Sequence, residues 1–366
     1  MDMVTPTAAR HIDPDEEAAF LDAIDRWIER EVRPVVMKHD HGDIWPAELV
    51  AQMAEMGLFG ATIGQEYDGL GLPAKTYAKI VARIASYWMA ITGIFNSHLI
   101  MALAVERFGT EAQKQLWLPK FASGEIRGGL ALTEPNAGTD LQAIRTVARR
   151  DGDDYVITGT KTWISNAING SCFALLVKTD PAASPRYKGM SLFIAPKGPG
   201  FTTGKKFDKM GYKAIDSAEL IFDDYRLSAD HLIGEVEGQG FFQATGGLEL
   251  GRINVAARGV GLAEGSLRLP PNMRKRARRW ASRSPSTRRS SSNWAKWSPA
   301  PAPRGCSPST LPKPMTAASA ATWKRGWPNI SRPKPQCATA RKQCASTAAT
   351  ATPRNMRSSA ITATHC

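Results

Sequence analysis

The stretch that decides the fold reads Leu130-Ala-Leu-Thr-Glu-Pro-Asn-Ala-Gly-Thr-Asp140, and Lys161-Thr-Trp-Ile-Ser-Asn-Ala167 follows it. Each combines a short β-rich run with residues that favour turns. Backbone amides of a glycine-containing turn, with the hydroxyls of Thr133 and Ser165, can satisfy the polar edge of a flat heteroaromatic ring, and Trp163 can cover its apolar face. The alternative is a plain strand–turn–strand with capping hydroxyls and a core tryptophan.

The pattern around these stretches changes from helical to β and back. Residues 15–121 show helical periodicity, including one long apolar helix after Pro73 and a capping box at Thr110 and Gln113. Five β-rich runs follow, separated by Gly, Asp, Asn and Pro; they are Gly128–Thr133, Tyr155–Thr160, Phe173–Thr179, Ser191–Pro196 and Ala218–Phe222. We therefore predict an α+β fold with a central sheet or barrel.

Helical character resumes after Gly238. Leu250, Ile253, Ala257 and Val260 recur at the spacing of one helical face. Beyond Leu269 neither helical nor strand periodicity continues.

The two quoted stretches resemble the flavin-binding signatures ALTEPxAGSD and KxWITNA of the acyl-CoA dehydrogenase family. Three further segments are similar to family motifs; they are Gly64–Gly71, Glu106–Lys114 and Glu249–Ala257. The resemblance implies an N-terminal helical domain (residues 1–125), a central β domain (126–236) and the start of a C-terminal helical domain (237–269). Residues 270–366 would be a basic tail, out of frame and disordered.

The resemblance also implies the ligands and the residues that bind them. FAD would be the cofactor, and an acyl-CoA thioester the substrate. The cofactor-binding residues would be Leu130, Leu132, Thr133, Gly138, Thr139, Trp163, Ile164 and Ser165. The substrate-binding residues would be Thr139, Glu249, Leu250, Gly251 and Arg252.

In this family a glutamate removes the α-proton of the thioester while the β-hydrogen leaves as hydride to the flavin. Some members carry that glutamate directly before the arginine that matches Arg252, where this chain has Gly251. Most carry it near the C-terminus, where this chain has no carboxylate side chain, so no catalytic base is assigned and impaired activity is expected. Two alternatives are a flavin monooxygenase or oxidase on the same scaffold, and a non-catalytic remnant.

The tail differs in chemistry from the rest of the chain. Residues 1–270 carry a net charge of −6, whereas residues 271–366 carry 19 Lys and Arg and no acidic residue. Shifted by one base, a codon choice for Ser290–Pro299 reads I-Q-L-K-L-G-E-M-V-T, and Cys344–Met356 reads M-R-I-H-G-G-Y-G-Y-S-T-E-Y. Both resemble C-terminal family motifs, which suggests a one-base slip near Leu269–Pro271. The alternative is a basic tail that binds nucleic acid or an acidic membrane.

The remaining expectations concern metals, compartment and partners. Cys172 should be a buried hydrophobe, and the tail cysteines form no zinc-type spacing, so no metal site is expected. The region Ile80–Leu103 contains Arg83 and His98 and is interpreted as buried helix rather than a membrane span. We expect a cytoplasmic protein that does not bind nucleic acid. The resemblance implies a homotetramer, if the C-terminal domain is intact, and an electron-transferring flavoprotein as acceptor.

Overall fold

The computed structural model describes residues 11–268, and the predictions for the tail beyond residue 269 lie outside them. The N-terminal part is helical. Its elements are α1 (Pro14–Trp27), a π-helical turn (Ile28–Val32), α2 (Arg33–Gly42), α3 (Ala47–Glu55), α4 (Ala74–Ala85), α5 (Met89–Phe108) and α6 (Glu111–Ala122). Helix α6 begins at the predicted capping box: the Thr110 hydroxyl accepts from the amide of Gln113, and the Gln113 side chain accepts from the amide of Thr110.

The apolar run after Pro73 forms two helices, so the prediction of one long helix was wrong. The break comes at Trp88, whose backbone is extended (φ −151°). By length and composition alone α5 would suit a membrane span, but 78% of its most apolar window is buried within this fold. Helix α5 is therefore the central core helix of the described region, as its His98 and Asn96 suggested.

A seven-stranded sheet follows the helices. Its strands are β1 (Gly128–Ala131), β2 (Val147–Asp151), β3 (Asp154–Ser165), β4 (Cys172–Lys178), β5 (Met190–Pro196), β6 (Phe201–Thr203) and β7 (Ser217–Ser228). The order is β1-β4-β2-β3-β7-β6, with β5 paired to β4. The sequence patterns missed β2 and β6. Strand β3 extends beyond its predicted run through Ser165, and β7 extends through a half whose exposed residues are polar.

The sheet separates two hydrophobic cores. In β4 the side chains of Cys172, Ala174 and Leu176 join the core under the helices. The alternate residues Phe173 and Leu175 belong to a second core on the opposite face. This alternation follows from the two-residue period of a strand, and it buries β4 on both faces. Cys172 is a free, buried thiol, as predicted.

Helix α7 (Gly240–Leu267) packs against α4 and α5. Its buried face overlaps only in part with the four apolar residues singled out in the sequence: Leu250 and Ala257 are buried, whereas Ile253 is 36% exposed and Val260 53% exposed. Asn254 is completely buried, and a Cβ at Gly261 would overlap the carbonyl oxygen of Ala82, so the interface also depends on close backbone approach. Glycines and a buried amide carry no apolar signal, which is why the hydrophobic period missed Asn254 and Gly261. The predicted α+β arrangement is confirmed.

Candidate functional site

The first element of the site is the turn that follows β1. The amide of Glu134 donates to the carbonyl of Ala137 (2.8 Å), and the amide of Ala137 donates back to the carbonyl of Glu134 (3.1 Å). The amide of Thr162 on β3 donates to the carbonyl of Thr133 (2.8 Å). The turn is thus closed on itself and tied to β3, so the exposed backbone at Gly138 is held in one place.

A buried ion pair lies beneath this turn. The Glu134 carboxylate accepts from the Lys161 ammonium (Nζ–Oε1 2.8 Å), from the Thr146 hydroxyl (2.6 Å) and from the amides of Arg145 and Thr146. Lys161 is completely buried and also donates to the carbonyl of Leu132 (3.2 Å). Burial lowers the pKa of Lys161 to about 8, although Glu134 opposes the shift. Burial raises the pKa of Glu134, but Lys161 and the hydrogen bonds outweigh it, so that pKa lies below its ordinary value.

The second element is a bulge in β3. The register of β3 with β7 shifts between Lys161 and Ile164, and Trp163 on this bulge has a positive φ of 57°. Its indole is 58% exposed and stacks on the ring of Phe207, with ring centroids 4.4 Å apart. A bulky residue held in the left-handed region costs about 1–3 kcal/mol and marks a functional position.

The turn and the bulge enclose an open cavity of about 540 Å³. It is lined by Thr133, Glu134, Pro135, Asn136, Ala137, Gly138, Thr162, Trp163, Phe207 and Glu219. The structure thus brings together three of the predicted cofactor residues, namely Thr133, Gly138 and Trp163.

The other predicted cofactor residues surround the cavity without lining it. Leu132 and Ile164 are buried in the two cores, so they can offer only backbone atoms to a ligand. Leu130 is half-buried at the end of β1, Ser165 is half-buried on β3, and Thr139 is exposed beyond the turn.

Phe207 and Glu219 line the cavity and were not predicted. They lie in and after the long segment that joins β6 to β7, and no local pattern there indicates a ligand. The Glu134–Lys161 pair was also missed, although the two opposite charges inside the quoted motifs were a usable signal.

Four of the five predicted substrate residues lie on α7, whereas Thr139 lies just beyond the turn after β1, and none of the five lines this cavity. The Glu249 carboxylate accepts from Arg107 on α5 (3.1 Å), and Leu250 is buried in the helical core. Gly251 packs against Ile100 of α5. Arg252 is exposed.

The residues present fit a flavin. Among the described residues, the hydroxyls of Thr133, Thr139 and Ser165 make no hydrogen bond, and the exposed amide of Gly138 donates to none. These groups would be left to a ligand that offers a polar edge, while the exposed indole of Trp163 offers an apolar face.

Comparisons with known proteins identify the architecture. The chain matches the family models described as "Acyl-CoA dehydrogenase, N-terminal domain" at residues 14–125 and "Acyl-CoA dehydrogenase, middle domain" at residues 129–225. The chain belongs to the acyl-CoA dehydrogenase family.

Three similar proteins place the chain within that family. It is 37% identical to the (2S)-methylsuccinyl-CoA dehydrogenase of Cereibacter sphaeroides over 69% of this chain and 48% of that protein. The solved butyryl-CoA dehydrogenase of Megasphaera elsdenii is 34% identical with a TM-score of 0.67, over 70% of this chain and 68% of that one. A chain in the solved electron transferring flavoprotein of Acidaminococcus fermentans is 36% identical with a TM-score of 0.66, over 70% and 67% of the two chains. The similarity thus spans only about half of the first curated relative, at 48%.

Proposed function

We propose that this chain is an FAD-dependent dehydrogenase of acyl-CoA thioesters, which converts an acyl-CoA to the 2,3-enoyl-CoA. The observation that carries the proposal is the cavity between the closed turn and the strained Trp163, with its unengaged hydroxyls. Family membership supports it, and the names of similar proteins, methylsuccinyl-CoA and butyryl-CoA dehydrogenase, favour a short acyl group.

When bound, FAD would supply the acceptor for the hydride that leaves the β-carbon of the acyl group. The chain's own residues would bind and position the flavin and the substrate. Thr133 and Ser165 would donate hydroxyl hydrogen bonds to the ring's polar edge, and Trp163 would exclude water from one face. Lys161 and Glu134 would keep the turn in its binding geometry. Glu249–Arg252 would contact the thioester end of the substrate.

The catalytic base is proposed to belong to a C-terminal region that the printed frame does not encode. The last acidic residue of the printed sequence is Glu264. A one-base slip near Leu269–Pro271 accounts for this loss, and the polypeptide as printed should then turn over acyl-CoA poorly.

The remaining assignments follow from the family and extend the proposal. An electron-transferring flavoprotein is the proposed acceptor, and similarity to a chain in such a structure supports this choice. A cytoplasmic homotetramer is proposed for the protein with an intact C-terminal domain.

FAD binding by the purified chain tests the proposal without requiring turnover. The apoprotein should bind FAD with quenching of flavin fluorescence. Thr133→Val and Ser165→Ala should each weaken binding about fivefold, since each removes a hydrogen bond of roughly 1 kcal/mol. Thr202→Val, an exposed hydroxyl on β6, is the matched control. A chain that folds but binds no FAD would rule the proposal out, and binding that is insensitive to both variants would move the flavin to another site.

A further inference from the structure

A second set of polar side chains is buried between α4, α5 and α7, away from the cavity. Tyr77 lies on α4 and Asn96 on α5, while Asn254 belongs to α7. The Tyr77 hydroxyl donates to Asn96 Oδ1 (3.4 Å) and accepts from Asn254 Nδ2 (2.7 Å). Both Tyr77 and Asn254 are completely buried. Burying polar groups among packed helices costs free energy unless every group forms a hydrogen bond. A functional role would explain why this cluster is buried here.

Arg258 extends the cluster and is incompletely satisfied. Its Nη1 donates to the hydroxyl of Tyr212 (2.6 Å), which comes from the segment between β6 and β7. Within residues 11–268, Arg258 Nε and Asn254 Oδ1 are both buried without a hydrogen-bond partner. The unmet donor of Arg258 favours a ligand that offers a hydrogen-bond acceptor over a hydrocarbon tail.

The positive charge of Arg258 indicates which kind of ligand would bind here. Tyr212 is its only hydrogen-bond partner in the described part of the chain, and no carboxylate there pairs with it. The printed sequence has no Asp or Glu after Glu264 that could do so. A guanidinium offers five donors in a planar fork that matches a carboxylate, so an anion is the natural complement of this site.

The cluster lies close to the proposed substrate segment. Arg258 follows Gly251 by two helical turns, about 10 Å along α7, and falls on the same side of the helix. Across from them α5 presents Ile100, which packs at Gly251, and Gly93, where any Cβ would overlap the hydroxyl of Tyr212. Gly93 therefore makes the room that lets Tyr212 reach Arg258. The α5–α7 contact thus runs from the proposed thioester end to the half-buried Arg258.

We propose that Arg258, held in place by Tyr212, binds a carboxylate at the far end of the acyl group. The substrates would then be CoA monothioesters of short dicarboxylic acids. This rests on the proposed function, because it assumes that the acyl-CoA thioester lies at Glu249–Arg252. A methyl-ended acyl group would leave Nε buried and unpaired, so the same residue would discriminate against it.

Matched thioesters test the proposal on the FAD-loaded chain. Succinyl-CoA and butyryl-CoA have the same chain length and differ in a terminal carboxylate or methyl group, and glutaryl-CoA and valeryl-CoA form a second pair. Titration calorimetry should show at least one carboxylated member binding roughly tenfold more tightly than its methyl-ended match. Equal or weaker binding by both carboxylated thioesters would overturn the proposal.

Two variants test whether a preference for carboxylated thioesters depends on Arg258 and Tyr212. Arg258→Met should reduce the preference to about twofold or less, since its side chain keeps the volume but loses the charged fork. Tyr212→Phe removes only the hydroxyl that orients Arg258 and should give an intermediate preference; it serves as the second variant if Arg258→Met melts early. Arg149→Gln, an exposed cation on β2, is the matched control and should keep the full preference.

Two other results would distinguish a failure of the Arg258 assignment from a failure of the proposed function. A preference that persists in both folded variants would overturn the role of Arg258 while leaving the dehydrogenase proposal standing. If FAD binds but no thioester of either pair does, the substrate part of the proposed function fails, and the assignment of Arg258 fails with it.

Discussion

The ammonium of Lys161 lies 2.8 Å from a carboxylate oxygen of Glu134; the Lys161 side chain is completely buried and that of Glu134 is only 7% exposed. The pair joins β3 to the turn after β1, and the second donor bond of Lys161 holds the carbonyl of Leu132. The cavity wall is therefore fixed by a charged group behind it. This contact connects the two motifs that dominate the sequence.

Removing one charge of this pair should be more damaging than removing both. Lys161→Met leaves the Glu134 carboxylate buried without its cation, and Glu134→Gln leaves the ammonium without its anion, so each should cost about 3–5 kcal/mol of unfolding free energy. The double variant should recover part of that loss. Urea unfolding of the four proteins measures this, with Lys205→Met, an exposed cation, as control. Additive single losses would show that the two charges do not act as a pair.

Replacing Trp163 should separate stability from cofactor binding. Trp163→Gly relieves the positive φ of 57°, so the variant should be as stable as the parent or more stable. The same change removes the exposed indole and should weaken FAD binding about tenfold, whereas Trp163→Phe should keep most of the affinity. Flavin fluorescence titration and thermal melting give the two readouts. Unchanged FAD affinity in Trp163→Gly would exclude the indole from the binding site.

Asn166 should connect the helical layer to the sheet. Its Nδ2 donates to the carbonyls of Ile94 on α5 (2.9 Å) and Gly128 on β1 (2.8 Å). Asn166→Asp would turn this donor into a carboxylate that faces two carbonyl oxygens, at a cost of about 2–4 kcal/mol. Asn136→Asp, at an exposed position in the turn after β1, is the comparison for the added charge. Equal melting temperatures for Asn166→Asp and the parent would contradict this role.

Stability should fall as pH falls from about 6.5 to 4, because of His98. Burial lowers the pKa of His98 to about 4, so the unfolded chain binds a proton in this window that the folded chain does not. The stability that the neutral His98 contributes is fully present above the pKa of His98 in the unfolded chain. It is lost progressively as the pH falls toward the folded pKa, and the total loss in the free energy of unfolding is about 3 kcal/mol. His98→Gln should be less stable at pH 7 but should show a flatter dependence between pH 6.5 and 4. Urea unfolding across that range measures the slope, with exposed His41→Gln as control; an unchanged slope in His98→Gln would refute the assignment.

The sequence predicted the features that depend on neighbouring residues and missed those that depend on packing between distant residues. The α+β order, the capping box at Thr110 and the motif strands follow from nearest-neighbour patterns. The buried side of α7 follows only in part, because it combines the apolar Leu250 and Ala257 with Asn254 and with the close backbone approach at Gly261. Phe207 likewise reaches Trp163 only through the course of a long connecting segment. Pairing of distant residues leaves no trace in the local period, so Phe207 and Glu219 could not be predicted as part of the cavity wall, whereas its other residues lie in the two quoted motifs.

Peptides from beyond residue 270 should match the shifted frame. The exposed residues of α7 give this proposal independent support. Helix α7 carries apolar residues on its outer face, where Val255 is 61% exposed and Val260 53% exposed. A helix that is apolar all round is usually covered by further structure. An amphipathic segment such as I-Q-L-K-L-G-E-M-V-T would cover it with its apolar face.

Intact mass and tryptic peptides of the protein from its native source decide between the two frames. The expected peptides contain Leu-Gly-Glu-Met-Val-Thr and the glycine-rich run that replaces Cys344–Met356. These would restore acidic residues to the C-terminal region, and with them a place for the catalytic base. Recovery of Cys344–Met356 as printed would contradict the frame slip. The chain would then be a flavoprotein scaffold whose α7 must find a different cover and whose turnover of acyl-CoA should stay near the uncatalysed rate.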